Sequence, residues 1–524
     1  MGEVMNGELV AISALLLVVI LVISRLPSVE DVDHSDAFKR RRVMNWLPLG
    51  LTYAFLYMGR YNLKVSKFAF EEMKDPSGGA MMGNDDFGNI FTVGVIVYGS
   101  AFLINGPLTD KLGGRFAILV GSAGSALANL LMGLATLSLV YGWSLQDWVA
   151  NNFVGLFSVL YGVNMYFQSF GAVAVVKCNA PWFHVRERGV FGAIFGILIS
   201  LGIYFAFDWG YAIVNGFTAS PESFFATSQL VNAKGLDIGL GAASVFLVPT
   251  ALLCIFWFID FFVVRDSPGQ AGLEDFDTAD ASSGDDGPQL SALEVFKMML
   301  TNPVIITIAL IEFCSGFIRQ SPMQWYRTFA KQTNDVLMLK GDFIYDHWGM
   351  FLCIAGISGG VVAGIISDRL FQSRRGPVAA ILYLGVILFS IVLYFTFTMP
   401  AVDFGTFKLS IPGVVCILLS MCVIGVHGML SGTASMDFGG KKNVGIAVGI
   451  IDGFVYLGTG VMSLTYGILL PKEKFDANDK LIGPVTQPEN WSAWPISMII
   501  VGIIGCLLAT RVWNAKAKGK SSGH

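Results

Sequence analysis

Apolar runs of about twenty residues recur from one end of the chain to the other, each long enough to cross a bilayer core as a helix. They fall near residues 8–25, 46–66, 88–108, 116–140, 150–175, 190–215 and 241–264. A second series follows near 303–329, 347–367, 377–399, 409–435, 445–470 and 493–514. Backbone in lipid must satisfy its hydrogen bonds internally, so the expected fold class is all-α, a polytopic membrane protein with twelve spans plus one extra N-terminal span. With 54% hydrophobic and 14% charged residues and a mean hydropathy of +0.64, the composition agrees. A net charge of -4 without long basic blocks gives no reason to expect a nucleic-acid partner; the partners are the lipid bilayer and a small molecule. The seven cysteines lack paired metal-type spacing, and no nucleotide loop or nucleophile motif stands out, so neither cofactor, metal nor enzymatic activity is expected.

The first run, "ELVAISALLLVVILVIS", follows an acidic start instead of the basic flank of a cleaved signal peptide, and reads as a retained helix with its N-terminus outside. "KRRR" (39–42) comes next, and every second connection after it is basic, among them Lys111 with Arg115, Arg186 with Arg188, and Arg374 with Arg375. That bias places those connections, the linker and the C-terminus in the cytoplasm of a cell whose inner membrane the chain spans. The domains expected are 1–42 (extra helix and basic segment), 43–264, an acidic linker 265–302, 303–514, and a tail 515–524. "GPLTDKLGGR" (106–115) has a weaker counterpart in "GIISDRLFQSRRG" (364–376), both offset by 258 residues. Two repeated six-span halves are a transporter plan, with substrate near the midplane between them. Asp110, Arg115 and Asp368, at cytoplasmic helix ends, are assigned to gating by pairs that form and part across the inner mouth.

Arg60 lies deep in "YAFLYMGRYNLKVSK", and arginine at a helix centre costs at least about 2.5 kcal/mol on insertion scales. The repeat offset carries Arg60 to within one position of Arg319, in "IEFCSGFIRQSPMQWYRTF". At 1.5 Å per residue both stand roughly 20 to 25 Å along their spans, so they are expected to confront each other across the cavity. Two like charges facing one cavity repel unless an anion sits between them, and the guanidinium fork suits tetrahedral oxyanions. Phosphate, sulfate and carboxylate all satisfy that geometry.

"GPLTDKLGGR" resembles the loop signature of the major facilitator superfamily. "WFHVRERG" (182–189), "YAFLYMGRYNL", "FIRQSPMQWYRTF" and "HGMLSGTASMDFGGKKNVGIAVGIIDGFVYLG" resemble its organophosphate:phosphate antiporter branch. The resemblance spans most of residues 43–514. It implies exchange of an organic phosphate, of the sugar-phosphate or glycerol-phosphate class, for inorganic phosphate by a monomer, with Arg60 and Arg319 as the anion clamp. It also implies that Tyr53 and Tyr57, seven and three residues before Arg60, line the cavity. Alternatives are a transporter-like organophosphate sensor and a proton-coupled organic anion symporter. The chain departs from the branch where polar cavity groups would be lysine and histidine, since Phe102 and Ile199 stand there. Lys64, one turn past Arg60, is a candidate third charge or a solvated lysine at the outer mouth. Glu312, two turns before Arg319, is expected to pair with it or to carry a proton. Asp452 is a candidate for binding sugar hydroxyls. Gln168 lies within the fourth core span; Lys177 is expected to snorkel, and His427 to be a packing histidine.

Overall fold

A computed structural model describes residues 34–184, 188–217, 238–278, 292–371, 375–476 and 480–514. The expected span at 8–25, part of the acidic linker and the tail 515–524 lie outside the described residues. Among the described residues, twelve long helical segments carry the chain. The first six are α1 (Asp36–Phe70), α2 (Asn84–Leu112), α3 (Gly114–Tyr141), α4 (Phe153–Asn179), α5 (Arg188–Tyr204, continuing through a π turn at Phe205–Trp209 into Gly210–Phe217) and α6 (Ile238–Val263). The second six are α7 (Pro303–Gln332), α8 (Trp348–Ile365, then a π turn at Ile366–Leu370), α9 (Arg375–Thr396), α10 (Ile411–His427, then a π turn at Gly428–Ala434), α11 (Ser435–Leu469) and α12 (Ala493–Arg511).

The helix starts carry local signals. Ser35 accepts from the Phe38 amide, Asn302 from Val304 with Pro303 following it, and Ser410 from Gly413. Each satisfies an amide that the first helical turn leaves open. Gly113, in the left-handed region at φ +94°, breaks the chain between α2 and α3, and a side chain there would run into Asp266. Asp266 accepts from the Arg115 amide, so the "GPLTDKLGGR" loop docks on the residues just after α6.

Among the described residues, ten helices are long and apolar enough to cross a membrane, and Trp348–Gly364 is a shorter apolar one. α1 falls short because Arg60, Asn62, Lys64 and Lys67 lie in its second half. All four are buried inside the bundle instead of facing lipid. The lipid side is supplied by exposed apolar side chains such as Ile104, Val159, Phe262, Leu384, Phe395 and Leu507. Within the stretch read as a linker, Ala292–Thr301 forms a helix whose Met299 is buried in a cluster with Ile305, Ile446 and Ile450. Low apolar content over 265–302 as a whole hid that short amphipathic segment.

The first six helices pack mainly among themselves, and so do the second six. Two seams join the sets, α2 along α11 and α5 along α8. The α2–α11 seam is lined by small residues: Gly99 and Gly453 face each other, and the Ser463 hydroxyl donates to the Gly88 carbonyl at 3.0 Å. In the second set, Gly316 on α7 meets Val455 and Gly458 on α11 meets Phe313, so closely that a methyl group at either glycine would overlap a backbone carbonyl oxygen. Small residues let backbones approach in lipid, where dispersion and hydrogen bonds replace the hydrophobic drive. This approach brings Arg319 on α7 and Tyr456 on α11 into the same pocket.

Candidate functional site

Arg60 is 1% exposed, and each part of its guanidinium is engaged. Nε donates to Gln168 Oε1 at 3.0 Å, and the two terminal nitrogens donate to the hydroxyls of Tyr456 at 2.9 Å and Tyr98 at 2.8 Å. The rings of Tyr57 and Tyr98 lie 4.5 and 4.6 Å from its central carbon. None of these groups is a carboxylate. Neutral oxygens stabilise a buried cation but leave its charge uncompensated, a costly state in low dielectric. Each tyrosine oxygen accepts from the arginine, which leaves its own O–H available to a ligand.

The frame behind Arg60 fixes its direction. Gln168 Nε2 donates to Ser125 Oγ and Asn164 Oδ1, turning its carbonyl oxygen toward Arg60. Asn129 donates to Asn164, Asn62 donates to Asn129 at 2.5 Å, and Asn164 donates to the Gly59 carbonyl. The Tyr161 hydroxyl donates to the backbone oxygen of Arg60 at 2.7 Å. Of this network the sequence singled out only Gln168. The signal was a pair of polar residues one turn apart in each neighbouring span, Ser125 with Asn129 and Asn164 with Gln168.

Arg319 is 7% exposed. Its Nε and one terminal nitrogen make no hydrogen bond among the described residues, and it has no ion pair there. Its central carbon lies 6.0 Å from the Tyr456 ring centroid, and that of Arg60 lies 5.9 Å from the same ring. Tyr456, which stacks edge-on with Tyr98 at 4.2 Å, is thus the group the two arginines share. Tyr53 and Tyr57 are buried on the α1 face that carries Arg60, with ring centroids 5.5 Å apart, and Gln320 donates to the Tyr61 hydroxyl at 2.9 Å.

Other candidates sit differently from expectation. Lys64 is no solvated lysine at a mouth: it is 1% exposed, donates to Thr328 Oγ1 at 2.5 Å, and is caged by the rings of Phe87 and Trp325. Glu312 pairs with His427, Oε2 to Nδ1 at 2.8 Å, instead of with Arg319; His427 therefore does more than pack. Asp452 accepts from the Ser431 hydroxyl. Asp110 pairs with Lys177 on α4 at 2.8 Å, and Arg115 donates to the Phe261 carbonyl on α6. These described partners lie within the first six helices. The Asp368 side chain lies outside the described residues.

The opposite end of the bundle is shut. Lys67 and Glu71 on the first set join Lys331, Gln332 and Glu473 on the second: Lys67 reaches Glu71 and, at 3.1 Å, Glu473, while Lys331 reaches Glu71 at 2.9 Å. Gln332 donates to both acids, and Glu473 also accepts from the Asn84 amide at 2.8 Å. Burial opposes ionisation of Glu71, but Lys331 and Lys67 outweigh it and hold its carboxyl well below the usual range. A second latch lies nearby, where Asp208 on α5 accepts from the Gly349 and Met350 amides and caps α8. Glu473→Gln removes the charge that ties Lys67 to the second set. A cysteine at Thr328 in a cysteine-free background should then react with an impermeant maleimide about five- to tenfold faster, roughly 1 to 1.4 kcal/mol of lost closure. Equal labelling with and without the substitution means that another contact holds this end shut.

A family model described as Major Facilitator Superfamily matches residues 49–463. The chain is 24% identical to a glycerol-3-phosphate transporter of Bacillus subtilis, over 95% of this chain and 98% of that protein. It is 23% identical to the membrane sensor protein UhpC of Salmonella typhimurium, covering 82% and 85% of the two chains. A probable hexose phosphate transport protein of Chlamydia trachomatis is 21% identical over 94% and 95%. In fold, a bacterial homologue of the lysosomal transporter Spinster superposes with a TM-score of 0.63 at 13% identity, covering 92% of this chain and 98% of that one. The Escherichia coli xylose transporter XylE gives 0.60 at 13%, over 92% and 100%.

Proposed function

This chain belongs to the major facilitator superfamily, a transporter of two six-helix halves and not an enzyme, and from that premise we propose that it exchanges an organic phosphate for inorganic phosphate by alternating access. The observation that carries the proposal is the pair of buried arginines at Tyr456, neither of them held by a carboxylate among the described residues. The relatives named for glycerol-3-phosphate and hexose phosphate supply the substrate class. Following the positive-inside bias, the Glu71 end, which the ion pairs close in this conformation, is the outer one.

An oxyanion between Arg60 and Arg319 neutralises two like charges in a low-dielectric interior, and the empty pair resists closure around it. Reorientation then requires a bound anion on each half-cycle, which makes exchange obligatory. The test is uptake of labelled phosphate into proteoliposomes loaded with unlabelled phosphate or with a panel of phosphate esters. Uptake should depend on the internal anion, and uptake into unloaded vesicles at the same rate would overturn the exchange. The relative named as a membrane sensor favours a second reading, in which the same site binds an ester but moves it slowly. Phosphate binding without flux would select it.

Tyr456→Phe removes the hydroxyl that accepts from Arg60 and can donate to the anion. Phosphate affinity measured by calorimetry should fall about tenfold, roughly 1.4 kcal/mol. A change below about twofold means that the hydroxyl does not touch the anion.

A further inference from the structure

Two acids lie near Arg319 but outside the ring of groups that holds Arg60. Glu312, fully buried on α7, shares one hydrogen bond with His427 on α10, and among the described residues its other oxygen makes none, although the Ser315 hydroxyl lies close by. Asp452 on α11 accepts from Ser431, which sits in the π turn directly after His427. π turns inside α-helices often mark functional sites, and this one presents Ser431 and His427 to the same interior corner. From α9, the Tyr383 hydroxyl donates to the Ile311 carbonyl at 2.7 Å, and Cys314 adds a thiol from α7. Cys506 on α12 points to the Ala380 carbonyl. The charged or titratable groups around Glu312 are thus His427, Asp452, Arg319, Tyr383, Cys314 and, behind Tyr383, Cys506.

The 2.8 Å contact between Glu312 and His427 contains one proton, shared between a carboxylate oxygen and Nδ1. The pair accepts a second proton on Nε2 without losing that bond. The His427 side chain keeps 20% of its surface exposed and that of Glu312 keeps none, so His427 is the member of the pair that a proton can reach. An anion arriving at Arg319 meets the negative charge of Glu312 and Asp452, and uptake of a proton by the pair relieves that repulsion. Anion and proton therefore favour one another, and the coupling is reciprocal.

We propose that Glu312 and His427 form a proton site linked to the oxyanion site, taking one proton from water as a phosphate-class anion binds at Arg319 and returning it as the anion leaves. This rests on the oxyanion reading given above and makes the affinity for the anion at each face depend on the pH of that face. No bond between heavy atoms changes: an N–H bond forms at His427 Nε2 as hydronium gives up a proton, and it breaks again, returning the proton to water, as the anion leaves.

The test is calorimetric binding of inorganic phosphate to the purified full chain and to Glu312→Gln, from about pH 6 to about pH 8.5, across the range where histidine titrates. Glutamine has nearly the same shape and is permanently neutral, so the variant should keep at alkaline pH the affinity that the parent shows only in acid. The ratio of the two affinities should change by up to about tenfold per pH unit, the limit for one linked proton. Titration of phosphate itself is common to both proteins and cancels in the ratio. A ratio that stays constant with pH overturns the proton site while leaving the oxyanion site standing; absence of phosphate binding to the parent overturns both. Should Glu312→Gln fail to fold, His427→Gln carries the test, because loss of the base must displace the pH profile, and an unchanged profile overturns the proposal.

Discussion

Arg60→Lys should lower phosphate exchange at least about 100-fold, although it preserves the charge. Three nitrogens of the guanidinium hold three separate partners on three helices, Gln168 on α4, Tyr98 on α2 and Tyr456 on α11. A lysine amine is a single point, one atom shorter in reach, and cannot hold Gln168 and both tyrosines while also facing an anion. Losing two charge-assisted hydrogen bonds at about 1.5 kcal/mol each is about 3 kcal/mol, or about 100-fold. The rate is read in proteoliposomes with unlabelled phosphate inside, and a thermal melt of the purified variant separates loss of transport from loss of fold. A decrease below about tenfold would show that charge alone serves and that the fork does not matter.

Gly458→Ala should be among the most damaging single methyl groups in the second half. The added carbon overlaps the Phe313 carbonyl oxygen, a backbone atom that cannot rotate away, so α7 and α11 must separate. Overpacking of this kind costs roughly 1 to 3 kcal/mol and occasionally more. Separation also breaks the bond from the Thr459 hydroxyl to the Gly316 carbonyl on α7 and displaces Arg319 from Tyr456. The expected result is a melting temperature lower by several degrees together with weaker phosphate binding. Gly360→Ala on α8, where an added methyl meets open space, serves as the control and should change neither. Equal behaviour of the two variants would mean that the α7–α11 contact is looser than described.

How much of this was legible beforehand depended on the kind of signal. Spans and their order follow from runs of apolar residues, because lipid leaves helices few alternatives. Arg60 and Arg319 stood out because two arginines recur at equivalent depth in a repeat, a pattern that packing alone does not require. Tyr98 and Tyr456 did not stand out. Each is one tyrosine among 15, and only the meeting of α2 with α11 makes them partners of one arginine. The burial of Lys64 was hidden for a related reason: one chain position cannot show that Thr328, Phe87 and Trp325 close over it from two other helices. Glu312 was recognised as needing an explanation, but its partner was assigned along its own helix, where spacing is readable. His427, on α10, is a neighbour only in three dimensions. The closed end was invisible for the same reason, since Lys67, Glu71, Lys331 and Glu473 read separately as loop and helix-end charges.

The shared oxyanion is tested most directly by an experimental structure of the full chain with inorganic phosphate. Density for one phosphate within hydrogen-bond distance of both Arg60 and Arg319, beside the Tyr456 hydroxyl, is the expected result. Phosphate bound to one arginine alone, or Arg319 turned onto Glu312 or Asp452 with the pocket at Tyr456 lacking the anion, would contradict it.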